Sequence, residues 1–145
     1  MAGIRNRDKD TFTLLSKCGK LCLMAKGKIL IAEDDAVLRN LYVKKFNMEG
    51  YETRTAEDGE QAIALIKAEK PDLLICDIHM PKVDGFQVLK EFPRGSRPFP
   101  IIMLTNFDQA DFKLRAQELG ADDYFVKKDM TIRSLVEMVE KLKHL

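Results

Sequence analysis

The sequence is poor in cysteine and has no long apolar run, and both absences narrow its class. Its three cysteines, Cys18, Cys22 and Cys76, form neither an even disulfide set nor a C-x-x-C metal spacing. No apolar stretch approaches the roughly 20 residues that a membrane span needs. We therefore expect a soluble cytoplasmic protein, with Cys76 packed in a core under reducing conditions.

Glycine-rich phosphate loops are also missing. The sequence contains neither G-x-G-x-x-G nor G-x-x-x-x-G-K-[ST], so the usual dinucleotide and nucleoside triphosphate cradles are excluded. A flavin site needs a loop rich in hydroxyls and glycine after the first strand. This chain instead has Glu33-Asp34-Asp35 there, and three carboxylates would repel a cofactor phosphate.

Length and charge indicate one compact domain with a basic leader. The 145 residues are 46% hydrophobic and 32% charged, enough for one substantial core. Residues 1–28 hold seven basic and two acidic residues, a net +5, whereas the remainder holds 17 basic and 21 acidic residues, a net −4. We predict that residues 1–27 are a disordered basic extension, with a docking arm as the alternative, and that residues 28–145 form the domain.

Four short apolar runs each end in polar residues suited to phosphate chemistry. Residues 29–32 precede Glu33-Asp34-Asp35, 73–76 precede Asp77, 101–104 precede Thr105, and 124–126 precede Lys127. Continuous rather than alternating hydrophobicity is typical of parallel strands buried on both faces. Because parallel strands end at the same edge of a sheet, these polar side chains should converge there.

Helix signals fill the segments between the predicted strands. The first helix should span residues 36–48, before Gly50, and a strand should follow at 51–55. Three pairs have the spacing of a capped first helical turn; they are Asp58 with Gln61, Asp84 with Gln87, and Asn106 with Gln109. Pro71 should end the second helix and Gly120 the fourth, and Thr131 should cap the last.

Five strands alternating with five helices predict an α/β fold. Each parallel connection needs a right-handed crossover helix, which gives a doubly wound five-stranded parallel sheet, a flavodoxin-like three-layer sandwich. The expected strand order is 2-1-3-4-5.

The acidic residues at the sheet edge call for a divalent cation. Two carboxylates about 4 Å apart repel by roughly 4 kcal/mol at an effective dielectric near 20. Mg²⁺ suits an open site of one or two carboxylates completed by water and phosphoryl oxygens. Lys127 and Thr105 could then contact further phosphoryl oxygens, which leaves Asp77 as the nucleophile. We place Asp35 at the N-terminus of the first helix, where the helix dipole stabilises a carboxylate.

The same residues resemble the receiver domain of two-component response regulators. The resemblance extends over residues 28–145 and is carried by motifs in the family's order. These are Glu33-Asp34, Asp77 followed by Met80-Pro81 and Asp84-Gly85, Thr105, and the run from Gly120 to Lys127.

The resemblance implies a phosphoacceptor site at Asp77. It implies transfer of a phosphoryl group to Asp77 from a histidine kinase or a histidine phosphotransfer protein. Mg²⁺ would be held by Asp34, Asp77 and the backbone carbonyl of His79, with Glu33 acting through water. The Lys127 ammonium would bind a phosphoryl oxygen.

A conformational switch is also implied. Phosphoryl oxygens would draw in the Thr105 hydroxyl, and Tyr124 would follow, altering a face made by the fourth helix, the fifth strand and the fifth helix. The output would be contact with a protein target not identifiable from the sequence. The acidic domain disfavours nucleic acid, and the resemblance leaves both a monomer and a phosphorylation-dependent dimer open.

Two positions depart from the family pattern. Lys128 stands where a proline with a cis peptide bond is usual, so the sequence leaves the isomer of that bond open. Phe107 is bulky and apolar where some relatives have polar residues that position the hydrolytic water, and we hypothesise that it shields the acyl phosphate.

Two other functions stay open at this point. An aspartate-nucleophile phosphohydrolase would share Asp77, Lys127 and Mg²⁺, although such enzymes typically show D-x-D and this chain has Asp77-Ile78-His79. A receiver-like module that binds partners without phosphorylation is the other alternative.

Overall fold

A five-stranded parallel sheet in the order β2-β1-β3-β4-β5 organises the protein. The structure, a computed structural model, describes residues 26–143. Its strands are β1 (Lys28–Ala32), β2 (Glu52–Ala56), β3 (Leu73–Asp77), β4 (Ile101–Thr105) and β5 (Asp123–Val126). Its α-helices are α1 (Ala36–Met48), α2 (Gly59–Glu69), α3 (Gly85–Glu91), α4 (Ala110–Glu118) and α5 (Ile132–Lys143). The predicted fold class and strand order are confirmed.

The core consists of two apolar layers, one on each face of the sheet. Leu30, Leu74 and Met103 face α2, α3 and α4, whereas Ile31, Ile75 and neighbouring strand residues face α1 and α5. Successive residues of a strand point to opposite faces, so strands that are apolar throughout contribute to both layers. Cys76 is buried in the first layer, as predicted.

Side-chain caps begin most of the helices where the sequence predicts them. Asp35 accepts hydrogen bonds from the amides of residues 37 and 38 at the start of α1. Asp58 caps α2, Asp84 forms a full capping box at α3, and the Thr131 hydroxyl accepts from the Ser134 amide at α5. Each cap satisfies backbone donors that the first helical turn leaves without partners.

The predicted cap at Asn106 is wrong. Helix α4 begins at Ala110 after an extended Gln109 that makes no side-chain capping bond. The local reason is that the Thr105 hydroxyl accepts a hydrogen bond from the Phe107 amide at 3.1 Å, so the chain forms a separate turn immediately after β4. Residues 106–109 therefore form a loop at the edge of the sheet that carries the polar strand ends.

Strand β2 begins one residue later than predicted. The Tyr51 amide donates to the carbonyl of Phe46 at 3.0 Å, which closes the turn after α1 instead of joining the sheet. The Tyr51 ring lies edge-on to that of Phe46, with ring centroids 5.9 Å apart.

Several predictions concern residues outside the described range. The extension predicted for residues 1–27 has only Lys26 and Gly27 within it, and Cys18 and Cys22 lie outside. Between residues 26 and 143, none of the helices combines the length and apolar character needed to cross a membrane.

Candidate functional site

Polar side chains from four neighbouring strands meet at the carboxyl edge of the sheet. Glu33 follows β1, Asp77 ends β3, Thr105 ends β4 and Lys127 follows β5. The strand order places these four strands side by side, so residues distant in the sequence lie close together. Glu33 and Asp77 are 1% and 2% exposed, which is unusual for carboxylates and indicates specific partners, and Thr105 is fully buried.

Lys127 pairs with both buried carboxylates. Its Nζ lies 2.6 Å from Glu33 Oε2 and 3.0 Å from Asp77 Oδ2. Burial alone would lower the pKa of Lys127, but the two carboxylates outweigh it and raise that pKa above its usual value. Burial raises the pKa of Glu33 to about 7, a shift that the hydrogen bond from Lys127 opposes and the charge of Asp77 reinforces. The sequence predicted Lys127 at this edge but not its contact with Glu33.

A cluster of oxygen donors beside the lysine suits a hard cation. Glu33, Asp34 and Asp77 each offer a carboxylate oxygen, and these atoms lie within 4.8 Å of one another. Two of the carboxylates are buried and Asp34 is exposed, so the cluster opens to solvent on one side. An all-oxygen, partly open donor set fits Mg²⁺, which retains water ligands and binds few carboxylates.

The three carboxylates and Lys127 line a cleft of about 420 Å³. The cleft wall also includes Leu38, His79, Asn106 and Phe107. Asp77 is therefore almost fully covered by surrounding residues, yet it borders a space large enough for a phosphoryl group and water.

The loop after β3 fixes the position of Asp77. The Gly85 amide donates to the carbonyl of Ile78 at 2.8 Å, and the His79 amide donates to Asp77 Oδ1 at 3.3 Å. A Cβ on Gly85 would lie 2.5 Å from the Asp77 carbonyl oxygen, closer than real contacts allow. Glycine at this position is what lets the start of α3 approach the end of β3 so closely.

Aromatic rings form one wall of the cleft. The exposed His79 ring lies edge-on to Phe107, with centroids 4.8 Å apart, and tilted against Phe112 at 5.5 Å. Phe107 is 45% exposed, so its ring stands at the mouth of the cleft rather than in the core. The sequence pointed to Phe107 but gave no sign of its contact with His79, which depends on the conformations of two loops.

Thr105 and Tyr124 both contact the loop formed by residues 106–109. The Thr105 hydroxyl accepts from the Phe107 amide, and the Tyr124 hydroxyl donates a long hydrogen bond of 3.5 Å to the Phe107 carbonyl. Burial raises the pKa of Tyr124, and a hydrogen bond with the Thr105 side chain opposes that shift. The peptide bond between Lys127 and Lys128, left open by the sequence, is trans.

This combination of fold and site defines a receiver-type α/β domain, with an acidic pair, a central aspartate, a hydroxyl and a lysine at successive strand ends. The chain belongs to the response regulator receiver domain family, whose model matches residues 29–140. The family predicted from the sequence is thereby confirmed.

Curated relatives agree with this assignment. The chain is 43% identical over 112 residues to the probable transcriptional regulator ycf27 of Guillardia theta, covering 77% of this chain and 44% of the relative. It is 41% identical over 100 residues to PhoP, the alkaline phosphatase synthesis transcriptional regulatory protein of Bacillus subtilis, covering 69% and 42%. The chain spans about half the length of the curated relatives that it matches.

Solved structures show the same fold. The receiver domain of Francisella response regulator 1452 has a TM-score of 0.77 and 31% identity, covering 82% of this chain and 98% of that one. The BeF3-activated receiver domain of Klebsiella pneumoniae RstA has a TM-score of 0.76 and 28% identity, covering 81% and 99%. Chemotaxis protein CheY4 of Vibrio cholerae has a TM-score of 0.74 and 28% identity, covering 81% and 99%.

Proposed function

We propose that Asp77 is the phosphoacceptor of a two-component or phosphorelay system, taking its phosphoryl group from a histidine kinase or a histidine phosphotransfer protein. The observation that carries this proposal is the environment of Asp77. Its carboxylate ends a buried strand, lies 3.0 Å from the Lys127 ammonium, and is clustered with two further carboxylates beside an open cleft.

In the transfer, an oxygen of the Asp77 carboxylate attacks phosphorus, and the bond between phosphorus and the donor imidazole nitrogen breaks. The product is an acyl phosphate on Asp77 and a free histidine on the donor. Lys127 can turn from the Asp77 oxygen to a phosphoryl oxygen with little movement, since its Nζ already lies at the carboxylate. Charge-assisted hydrogen bonds of this kind are among the strongest in proteins.

Mg²⁺ would be held by Asp34, Asp77 and the backbone carbonyl of His79, with Glu33 acting through water. When bound, Mg²⁺ supplies positive charge that stabilises phosphoryl oxygens in the transition state. Glu33 also has a second role that needs no metal. Its carboxylate holds Lys127 at 2.6 Å and so orients the ammonium toward Asp77.

Phosphorylation would be read out through Thr105 and Tyr124. The Thr105 hydroxyl leaves the Phe107 amide to donate to a phosphoryl oxygen, and the 106–109 loop and Tyr124 follow, because both side chains contact Phe107. The surface altered is made by α4, β5 and α5. A hydrogen bond to a charged group contributes about 1.5–3 kcal/mol, enough to shift a two-state equilibrium severalfold or more.

The Phe107 and His79 rings would set the lifetime of the acyl phosphate. The two rings meet at the mouth of the cleft, where water must enter to attack phosphorus. The Phe107 ring has no hydrogen-bonding atom that could position that water. Hydrolysis of the phosphorylated state should therefore be slow.

Signal output would occur by protein contact in the cytoplasm, from a monomer or from a dimer that forms on phosphorylation. The partner is a protein that distinguishes the two states of the α4-β5-α5 surface. Nucleic acid is not proposed as a direct ligand of this domain, since residues 29–145 are net acidic.

The proposal is tested by incubating the protein with acetyl phosphate and Mg²⁺ and recording its intact mass. Wild-type protein should gain one phosphoryl group. The Asp77→Asn variant and a sample with excess EDTA should gain none. Absence of an adduct on folded wild-type protein that binds Mg²⁺, or an equal gain by Asp77→Asn, would contradict the proposal.

A further inference from the structure

Arg39 in the first turns of α1 binds the backbone of the acidic turn. Its guanidinium Nη1 donates to the carbonyl oxygen of Glu33 at 2.9 Å and, more weakly, to that of Asp34 at 3.4 Å. The side chain is only 14% exposed although it carries a full charge. A cation near a helix N-terminus is disfavoured by the helix dipole, so a local interaction must hold Arg39 there.

The Glu33–Asp34 peptide group is the part of this turn that Arg39 holds most directly. The Glu33 amide donates to the Ala56 carbonyl, and the Asp35 amide donates to Glu33 Oε1 at 3.2 Å. The second bond also holds the Asp34–Asp35 peptide group, whose carbonyl oxygen Arg39 contacts only weakly. Arg39 contacts the carbonyl oxygens on either side of the Asp34 α-carbon, and the direction of the Asp34 side chain follows from those peptide planes.

The ion pair of Arg39 with Glu57 does not explain its burial. The Nη2 atom lies 3.8 Å from Glu57 Oε1, near the limit for an ion pair, and the Glu57 side chain is 66% exposed. Exposed pairs of this kind contribute little. The contact with the Glu33 carbonyl oxygen is shorter, at 2.9 Å, and partly buried, so it dominates.

We propose that Arg39 is a positioning residue for Mg²⁺ binding, acting through the Glu33 and Asp34 carbonyl oxygens to aim the Asp34 carboxylate. This inference rests on the proposed function in that it assumes a Mg²⁺ site at Asp34 and Asp77. Arginine suits the task because its planar guanidinium holds Nη1 at the carbonyl oxygens while Nη2 lies toward Glu57, whereas a lysine ammonium acts as a point charge. Groups that orient metal ligands commonly change affinity by 10- to 100-fold when removed.

The test measures Mg²⁺ affinity by isothermal titration calorimetry for wild type, Arg39→Met, Arg39→Lys and two controls. Arg39→Met should bind Mg²⁺ about tenfold more weakly, and Arg39→Lys should recover only part of that loss. Lys44→Met removes an exposed cation from the same helix, and Glu57→Gln removes the long ion pair between Arg39 and Glu57. The Mg²⁺ affinity of both controls should stay within about twofold of that of wild type.

Urea unfolding in EDTA separates positioning from simple structural support. If Arg39→Met is less stable yet binds Mg²⁺ with wild-type affinity, the proposal is overturned. Lys44→Met weakening binding as much as Arg39→Met would also overturn it, because loss of a cation by itself should strengthen Mg²⁺ binding, and a weakening shared with an exposed lysine could not come from the Arg39 contacts with the carbonyl oxygens. If wild-type protein binds no Mg²⁺, the proposed metal site itself fails, an outcome distinct from any difference between variants.

Discussion

Replacing Lys127 with methionine should separate metal binding from phosphoryl transfer. In the wild type the ammonium lies 2.6 Å from Glu33 and 3.0 Å from Asp77, and its side chain is nearly buried. At an effective dielectric near 20 each contact between ionised groups amounts to about 5.5–6.5 kcal/mol in gross Coulomb energy. Desolvation of the three groups offsets most of this, and removing one partner of a buried pair typically costs about 3–5 kcal/mol.

Lys127→Met should therefore lose about 3–5 kcal/mol of unfolding free energy in EDTA at neutral pH. Mg²⁺ should restore more stability to the variant than to wild type, because the acidic cluster then lacks its internal cation and binds the metal more tightly. Phosphorylation by acetyl phosphate should nevertheless slow, since the cation that contacts the phosphoryl oxygen is gone.

The assays are urea unfolding with EDTA or Mg²⁺ and the initial rate of phosphoryl incorporation by mass spectrometry. Lys128→Met is the matched control, because Lys128 is exposed and adjacent in the chain. Equal stability of Lys127→Met and wild type in EDTA, together with weaker Mg²⁺ binding, would refute the reasoning.

Three further variants test other parts of the account. Phe107→Glu should dephosphorylate faster, because a carboxylate at the cleft mouth can position water; an unchanged decay of the phosphorylated mass would rule out shielding. Thr105→Ala should be phosphorylated to a similar extent but lose the change in amide exchange across α4 and β5; a wild-type exchange response would argue against the switch. Burial alone would raise the pKa of Asp122, but hydrogen bonds from the Ile101 amide and Arg97 lower that pKa below its usual value. The ionised Asp122 therefore contributes to the free energy of unfolding above about pH 4, and this contribution is lost in more acidic solution. Asp122→Asn should cost about 2–3 kcal/mol at pH 7, and the difference from wild type should narrow as pH falls through the folded-state pKa; a constant difference from pH 7 to 3 in urea unfolding would count against this assignment.

Much of the fold could be predicted because its signals are local. Continuous apolar runs identify buried parallel strands, and aspartates three residues before a glutamine identify capped helices. Parallel topology then places Glu33 and Lys127 at the same edge of the sheet although 94 residues separate them, but it does not predict their direct contact. The wrong prediction of a helix cap at Asn106 shows where a local signal fails. The neighbouring Thr105 hydroxyl accepts a hydrogen bond from the Phe107 amide, so the chain forms a turn there instead of starting a helix.

The remaining contacts of the site depend on loop conformations, which the spacing of residues in the sequence does not predict. The contact of His79 with Phe107 joins the loops after β3 and β4. The close approach of Gly85 to the Asp77 carbonyl could not be predicted either, although Gly85 belongs to both a capped turn and a motif of the resemblance. Arg39 did leave a signal, a cation in the first turns of a helix, where the dipole disfavours it.

Locating the phosphoryl group in the chain tests the central claim most directly. Borohydride reduces an acyl phosphate to an alcohol, so an aspartyl phosphate becomes homoserine and can be mapped by peptide mass spectrometry. After acetyl phosphate and Mg²⁺ treatment, the account predicts homoserine at position 77 and its loss when Mg²⁺ is removed. Homoserine at Asp34 or Asp35 instead, or phosphorylation with no reducible aspartate, would contradict it.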